Sequence, residues 1–237
     1  MKARYRKTIA GLLWVILSPI IVFSAQSFIF KYILKLEIQN FSLFLLSGLL
    51  PWVFITSSLD IGIPSIVSSA DLLKSFNINP IILIASQVLD NFINFLLSFT
   101  ILIIPSIFIY KIPLQGLIAL IVPILLLLIF VSLLTSILAL LNVFYRDIKF
   151  VSSFTMNLLF FATPIFYPES FVPANLKWIV SLNPFYRMIQ PIRVSLYQFS
   201  PQLYFSSLIP SLVIIILLSI FCIFLWRKKR SRIYSYV

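Results

Sequence analysis

Residues 112–151 read IPLQGLIALIVPILLLLIFVSLLTSILALLNVFYRDIKFV. No charged side chain occurs before Arg146, and Arg146, Asp147 and Lys149 then follow within four positions. About 20 apolar residues in a helix are enough to cross the ~30 Å hydrocarbon layer of a membrane. The stretch therefore predicts a transmembrane helix that ends in a charged turn, residues 145–149.

The composition agrees with a chain that lies in lipid. Of its 237 residues, 61% are hydrophobic and 10% are charged, whereas about a quarter of the residues of a soluble domain are charged. An open sheet cannot span lipid because its edges stay unpaired, and the apolar runs lack the alternation of a β-barrel. We predict an all-α integral membrane protein with a single transmembrane domain over residues 1–237.

Six apolar runs are long enough to be membrane crossings. The predicted spans are about 9–34, 40–60, 81–109, 114–142, 150–166 and 205–226. A cleaved signal peptide is the alternative for the first run, because Lys2 to Lys7 precede it. A signal peptide has an apolar core of roughly 7–15 residues, and this run is longer. A first transmembrane helix is therefore favoured.

The basic residues indicate the orientation of the chain. With the amino terminus inside, 12 of the 18 Lys and Arg residues fall at the two termini and in the segments after the second and fourth spans. Basic residues accumulate on the cytoplasmic side of membrane proteins. We expect both termini to be cytoplasmic, and the charged turn to lie on the same side.

The sequence also excludes several chemistries. It has no histidine and only 6 acidic residues, so His-ligated metal sites are excluded and no catalytic or metal-binding residue is predicted. It has no G-x-x-x-x-G-K-[ST] loop for nucleotide phosphates. We expect no cofactor on this chain, and any ATP and Mg²⁺ to be bound by a partner. Because the basic residues do not form one patch, no nucleic acid is predicted as a partner.

Two further regions carry unusual patterns. Region 164–193 combines prolines with apolar and aromatic residues, and such backbone is tolerated at membrane depth only inside protein or beside water. A re-entrant helical hairpin between the fifth and sixth helices is predicted there. In the third helix, four polar residues share one face: Gln87, Asp90, Asn91 and Asn94. This face lines a channel or makes hydrogen bonds between packed helices.

Several motifs occur in the order known from one family of transporters. They are Arg4-Tyr5-Arg6-Lys7-Thr8 with Gly11, Trp14 and Pro19, then LLSGLLPWVF (45–54), IVSSADLLKSFNINP (66–80), NVFYRDIKFV (142–151), TPIFYP (163–168) and NPF (183–185). Together they resemble the membrane (permease) subunit of type-2 ABC exporters of bacterial polysaccharides, the O-antigen, capsule and teichoic acid permeases. The resemblance covers most of the chain.

This resemblance implies a transport subunit and not an enzyme. Such a subunit forms a homodimer in the bacterial cytoplasmic (inner) membrane, works with two copies of a P-loop ATPase subunit, and moves a lipid-linked polysaccharide. An amphipathic amino-terminal helix at the interface is implied, where Arg4, Tyr5, Arg6 and Lys7 would recognise the lipid pyrophosphate. Anchoring of the amino terminus at the cytoplasmic face is the alternative role of these residues.

Two cytoplasmic segments are expected to contact the ATPase, and they are called the coupling segments: residues 66–80 and 142–151. Their predicted coupling residues are Leu73 and Lys74 in the first, and Phe144, Tyr145, Arg146 and Asp147 in the second. Aromatic rings that enter a groove and charge-assisted hydrogen bonds suit such a joint. The alternatives are a cytoplasmic gate or a plain connector for the first segment and an ordinary topology signal for the second.

The outer region supplies candidate passage residues. Sugar polymers present hydroxyl edges and C–H faces, which aromatic rings with polar groups bind loosely. The candidates are Phe166, Tyr167, Trp178, Phe185 and Tyr186, with Gln87, Asp90 and Asn94 of the third helix. Interfacial aromatic belts are the alternative. The competing functions are a type-2 ABC exporter of drugs or small lipids and, least favoured, a membrane-embedded transferase.

Overall fold

The computed structural model of the protein describes residues 13–29, 38–76, 78–197, 199–229 and 233. Within those residues every regular element is a helix, as the sequence predicts. In chain order the α-helices are α1 (Leu13–Phe28), α2 (Phe41–Gly62), α3 (Ser65–Ser68), α4 (Ala70–Phe76), α5 (Pro80–Tyr110), α6 (Leu114–Ala119), α7 (Ile121–Phe144), α8 (Ile148–Ala162), α9 (Lys177–Leu182), α10 (Pro184–Tyr197) and α11 (Pro201–Lys229). Short 3₁₀ turns lie at Glu169–Phe171 and Ala174–Leu176.

Four segments of the described chain are long and apolar enough to cross a membrane. They are α2, α5, α6 together with α7, and α11. Helix α8 is apolar but has 15 residues, which extend over about 22 Å and so fall short of a ~30 Å hydrocarbon layer. The structure therefore shows a multi-pass membrane protein with four candidate crossings in its described residues.

Local sequence signals explain where these helices begin and end. Helix α5 starts at Pro80 because the Asn79 side chain accepts a hydrogen bond of 3.2 Å from the backbone N–H of Ile81. It ends at Tyr110, and the next residue, Lys111, has a left-handed φ of 51°. Helix α8 stops at Ala162, four residues before the predicted end of its span. The cause is Pro164, since the residue before a proline is driven into extended backbone.

Helix α2 is the centre of the bundle. Its Leu45, Phe54 and Ile55 are almost fully buried, and it packs against α5, α7, α8 and α10. The Phe54 ring stacks on Phe95 of α5 at a centroid distance of 5.2 Å. At the carboxyl end of α2, Gly62 lets α7 approach closely, because a Cβ atom at that position would collide with the Thr135 methyl group. The core is therefore built around α2.

Helix α11 supplies donors to backbone carbonyls that prolines leave free. Proline has no N–H, so a proline inside a helix leaves the carbonyl four residues earlier without its helical partner. For Pro123 that carbonyl belongs to Ala119, and it accepts a 2.8 Å hydrogen bond from the Tyr204 hydroxyl. Neighbouring helices commonly satisfy such groups in membrane proteins, where water is absent.

The same arrangement occurs a second time on α11. Pro191 lies inside α10 and frees the carbonyl of Arg187. The hydroxyl of Ser211 donates a 2.7 Å hydrogen bond to that carbonyl. Two hydroxyl groups of α11 thus fasten this helix to the break between α6 and α7 and to α10.

Replacing Tyr204 with Phe is expected to destabilise the protein. The change removes one hydroxyl and leaves the partly buried Ala119 carbonyl without this donor, which costs about 1 kcal/mol, the lower end of the range for buried acceptors. For a chain of this size the unfolding temperature falls by roughly 2–4 °C per kcal/mol. Thermal unfolding of the purified protein in detergent measures the shift.

Tyr197→Phe is the matched control for this change. The Tyr197 hydroxyl also donates to a backbone carbonyl, that of Gln39, but Gln39 is exposed and water replaces the lost donor. Equal unfolding temperatures for the two variants would contradict the role given to Tyr204.

Candidate functional site

A buried arginine organises the region in which α2, α10 and the turn after α8 meet. Arg193 of α10 has 8% of its surface exposed. Its guanidinium donates to the carbonyl oxygens of Pro164 at 2.7 Å and Ile165 at 2.9 Å, and a longer contact of 3.4 Å reaches the Ser47 hydroxyl of α2. The group also lies 3.8 Å from the centre of the Phe44 ring. One side chain therefore joins α2, α10 and the turn after α8.

The acceptors that these hydrogen bonds use are all neutral. Burial lowers the pKa of Arg193 to about 10, which is still above neutral pH, so the group remains charged. A buried charge is costly unless hydrogen bonds compensate it. Carbonyl dipoles and the face of the Phe44 ring supply that compensation here.

Gly48 makes room for this guanidinium. A Cβ atom at position 48 would lie 2.6 Å from Nη2 of Arg193 and 3.1 Å from the carbonyl oxygen of Ile165. Real Cβ atoms essentially never approach another atom to 2.6 Å. A side chain at position 48 would therefore displace the arginine or the turn that it holds.

Asn183 fastens the amino end of α10 to the same turn. Its side-chain oxygen accepts hydrogen bonds from the backbone N–H groups of Phe185 at 2.9 Å and Tyr186 at 3.3 Å. Its amide nitrogen donates to the Thr163 hydroxyl at 2.8 Å. An Asn cap followed by proline in the first helical position is a common start of a helix. The residues Asn183, Pro184 and Phe185 are thus a helix start that also holds the turn after α8.

Phe185 completes this assembly by packing into the core. Its ring lies 5.8 Å from Trp52 of α2 and 5.7 Å from Phe130 of α7, edge to face in both pairs. We call the whole set the Arg193 cluster: Phe44, Ser47, Gly48, Trp52, Thr163, Pro164, Ile165, Asn183, Phe185 and Arg193. It brings together LLSGLLPWVF, TPIFYP and NPF, which are far apart in the sequence.

The predicted passage residues divide into two groups. Phe185 and Tyr186 are 8% and 5% exposed and so lie inside the subunit. The Tyr186 hydroxyl donates to the Glu169 carboxylate at 2.9 Å, and burial followed by that carboxylate raises the pKa of Tyr186, so its hydroxyl stays protonated.

The other aromatic residues are closer to the surface. Trp178 is 60% exposed. Phe166 and Tyr167 are partly exposed neighbours whose rings lie 5.1 Å apart. The Tyr167 hydroxyl donates to the carbonyl of Phe161 at 2.9 Å. Of the five outer aromatic candidates, these three present surface to the outside of the subunit.

The polar face of the third predicted span lies on α5, as expected from its helical spacing. Asn91 is buried, while Gln87, Asp90 and Asn94 are partly exposed. The side-chain oxygen of Asn94 is buried without a hydrogen-bond partner. Within the described residues, no group of three or more His, Cys, Asp or Glu side chains is placed to hold a metal ion.

The first coupling segment contains a short helix, α4. Leu73 of α4 is 1% exposed, whereas Phe76 is 71% exposed, and Asp71 and Lys74 are exposed as well. Leu73 therefore anchors the helix, and the charged face with Phe76 points away from the core.

The charged turn is the second exposed structure. Helix α7 ends at Phe144, and the backbone N–H of Tyr145 donates to the Leu141 carbonyl at 2.9 Å as the helix closes. The Tyr145 ring is 61% exposed, and Arg146 and Asp147 are exposed beside it. Arg4, Tyr5, Arg6 and Lys7, the predicted interface residues, lie outside the described residues.

Comparison with known proteins places these features in a family. The sequence pattern of the family described as "ABC-2 type transporter" matches residues 1–197. The chain belongs to the ABC-2 type transporter family. As an ABC-2 protein it is a transport permease subunit, and the four apolar helices agree with a multi-pass membrane protein.

The curated relatives of this ABC-2 permease share one name. It is 31% identical over 196 residues to the O-antigen export system permease protein RfbA of Klebsiella pneumoniae, an alignment that covers 80% of this chain and 73% of that protein. It is 31% identical over 200 residues to the protein of the same name from Myxococcus xanthus, covering 84% and 77%. A second Klebsiella pneumoniae protein of that name is 28% identical over 228 residues, covering 90% and 85%.

Sequence reasoning for this ABC-2 permease missed the role of Arg193. Arg193 was considered only as one of the basic residues that lie outside the predicted cytoplasmic segments. The available signal was a lone arginine between Ile192 and Val194 in a proline-containing segment. A charge in such a setting usually faces protein or water and has a specific partner.

Replacing Gly48 with Ala is expected to destabilise the ABC-2 permease through Arg193. Overpacking of a filled site costs about 1–3 kcal/mol. In an Arg193→Met background the guanidinium is gone, so the added methyl group should cause a much smaller loss. Unfolding temperatures of the four proteins in this double-mutant cycle measure the coupling. Additive losses would show that the alanine methyl group does not act on the arginine.

Proposed function

We propose that this protein is the transmembrane subunit of an ATP-driven exporter that moves a lipid-linked polysaccharide across the bacterial cytoplasmic membrane. The observation that carries the proposal is the Arg193 cluster, in which three motifs of the polysaccharide-permease resemblance meet in one buried assembly. The relatives named as O-antigen export permeases support the same substrate class.

The topology we propose has six crossings and cytoplasmic termini. Helices α1 and α8 would be the first and fifth crossings, and the distribution of basic residues sets the orientation. The short α8 suits a crossing whose outer end joins the Arg193 cluster, because the turn after it is satisfied by protein and not by water. The region 164–193 with the end of α10 would then be a re-entrant hairpin at the outer face.

The energy source would be a separate ATPase subunit, present in two copies beside a permease homodimer. The chain has no phosphate-binding loop, so ATP and Mg²⁺ would be bound by that partner. The exposed Tyr145, Arg146 and Asp147, with Lys74 beside the anchored Leu73, form protruding groups suited to docking. Leu73 and Phe144 would anchor these groups to the helix bundle.

The passage for the polymer would use the exposed aromatic groups of the outer region. Phe166, Tyr167 and Trp178 present ring surface there, while Phe185 and Tyr186 would support them from inside the subunit. Gln87, Asp90 and Asn94 would contribute polar groups from α5. At the amino end, Arg4, Tyr5, Arg6 and Lys7 would bind the lipid pyrophosphate at the cytoplasmic interface.

Deleting the gene from its bacterium tests the proposed function. Surface polysaccharide should be lost, and lipid-linked polysaccharide should accumulate inside the cell, because synthesis continues while export stops. Immunoblots of the cell surface and extraction of the lipid-linked intermediate measure the two pools. Normal surface polysaccharide together with greater sensitivity to drugs would instead indicate an exporter of drugs or small lipids.

The double variant Arg146→Ala with Asp147→Ala should insert normally and fail to export. Both side chains are exposed, so their loss leaves the bundle intact while it removes charge-assisted bonds to the ATPase. Surface polysaccharide should fall to the level of the deletion strain, with membrane abundance unchanged. Lys177→Ala, a change of an exposed charge in the outer region, is the control and should export normally. Normal export by the double variant would leave the charged turn as a topology signal.

A further inference from the structure

The carboxyl end of α11 contacts the charged turn through one lysine. The Nζ atom of Lys229 lies 4.5 Å from the centre of the Phe144 ring and 5.7 Å from the centre of the Tyr145 ring. Cations within about 6 Å of a ring centre are attracted to its face. A single cation therefore binds two consecutive rings of the second coupling segment.

The helix itself sets the position of this lysine. Cys222 and Trp226 are each 7% exposed, and with Lys229 they follow the spacing of one helical face. That face packs on the bundle, so the Lys229 side chain leaves the helix toward α7. The preceding residue, Lys228, is exposed. Its Nζ atom lies 5.9 Å from the centre of the Phe224 ring on the same helix. Two adjacent lysines thus have different partners.

The ring of Tyr145 has protein on one side and open surface elsewhere. It is 61% exposed although Lys229 lies over it. It follows the last residue of α7, and the exposed Arg146 and Asp147 come next. A side chain at such a helix end has several rotamers available, and holding it in one rotamer before binding removes that entropy cost.

We propose that Lys229 is a positioning residue for ATPase docking. It holds the rings of Phe144 and Tyr145 in the orientation that enters the partner, and it makes the carboxyl end of α11 part of the docking surface. Arg146 and Lys149 are exposed in the charged turn, where Asp147 is the only exposed acid, and Arg227 is exposed two residues before Lys229. Because this surface has an excess of positive charge, the facing groove of the ATPase subunit would carry acidic side chains. The inference rests on the proposed function, because it requires the ATPase partner.

The experiment titrates the partner ATPase subunit from the same bacterium with purified permease in lipid nanodiscs. ATP hydrolysis is followed as the permease concentration rises, for the wild type, Lys229→Ala, Lys229→Arg and Lys228→Ala. For Lys229→Ala, the permease concentration at half-maximal stimulation should rise roughly two- to fivefold, the factor expected from one partly exposed cation–π contact. The maximal rate should stay at the wild-type value, and the unfolding temperature should fall by no more than about 2–4 °C, the shift expected from one such contact within the permease.

The two other variants separate positioning from charge. Lys229→Arg keeps a cation over the rings and should restore the wild-type midpoint. Lys228→Ala removes the same charge from the adjacent position without touching the charged turn, and its midpoint should not change.

Each remaining result counts against the inference. Equal midpoints for Lys229→Ala and Lys228→Ala, whether both normal or both raised, would overturn it alone. A lower unfolding temperature for Lys229→Ala together with a lower maximal rate would mean a structural role and would also overturn it. A wild-type permease that leaves ATP hydrolysis unchanged would overturn the proposed function and this inference with it.

Discussion

The hydrogen bonds from Arg193 to the carbonyls of Pro164 and Ile165 are the interaction on which the joint between α2, α10 and the turn after α8 depends. Backbone groups outside a helix have no partner in lipid. The turn after α8 is such a segment, and the guanidinium supplies the donors that water would otherwise provide. The apolar bundle can therefore carry irregular backbone where its helices end.

The same rule explains the place of α11 in the fold. Its hydroxyl groups satisfy carbonyls that Pro123 and Pro191 leave free. Its carboxyl end reaches the charged turn through Lys229. Near its amino end and its middle α11 is thus attached by hydrogen bonds to backbone carbonyls, whereas its carboxyl end is attached by a contact of a cation with two rings. The contact at the carboxyl end is the less directional of the two kinds.

Much of the helical architecture follows from the sequence, because long apolar runs and helix caps are local signals. The predicted span 81–109 is an example, since it lies within α5, which covers Pro80–Tyr110. The Arg193 cluster does not follow in that way. Arg193 and Ser47 are 146 positions apart, and no local period relates them. Phe185 was predicted to face a passage, yet its ring lies between Trp52 and Phe130, a position set by the fold of α10 against α2 and α7.

The space at Gly48 that the Arg193 guanidinium occupies has a consequence for biosynthesis. Helix α2 leaves the ribosome long before Arg193, since Ser47 and Arg193 are 146 positions apart. At typical translation rates of 5–20 residues per second that distance corresponds to roughly 7–30 s. During this interval the central helix lacks the side chain that packs against it in the folded protein. The contact between α2 and α10 therefore forms only after most of the chain has been synthesised.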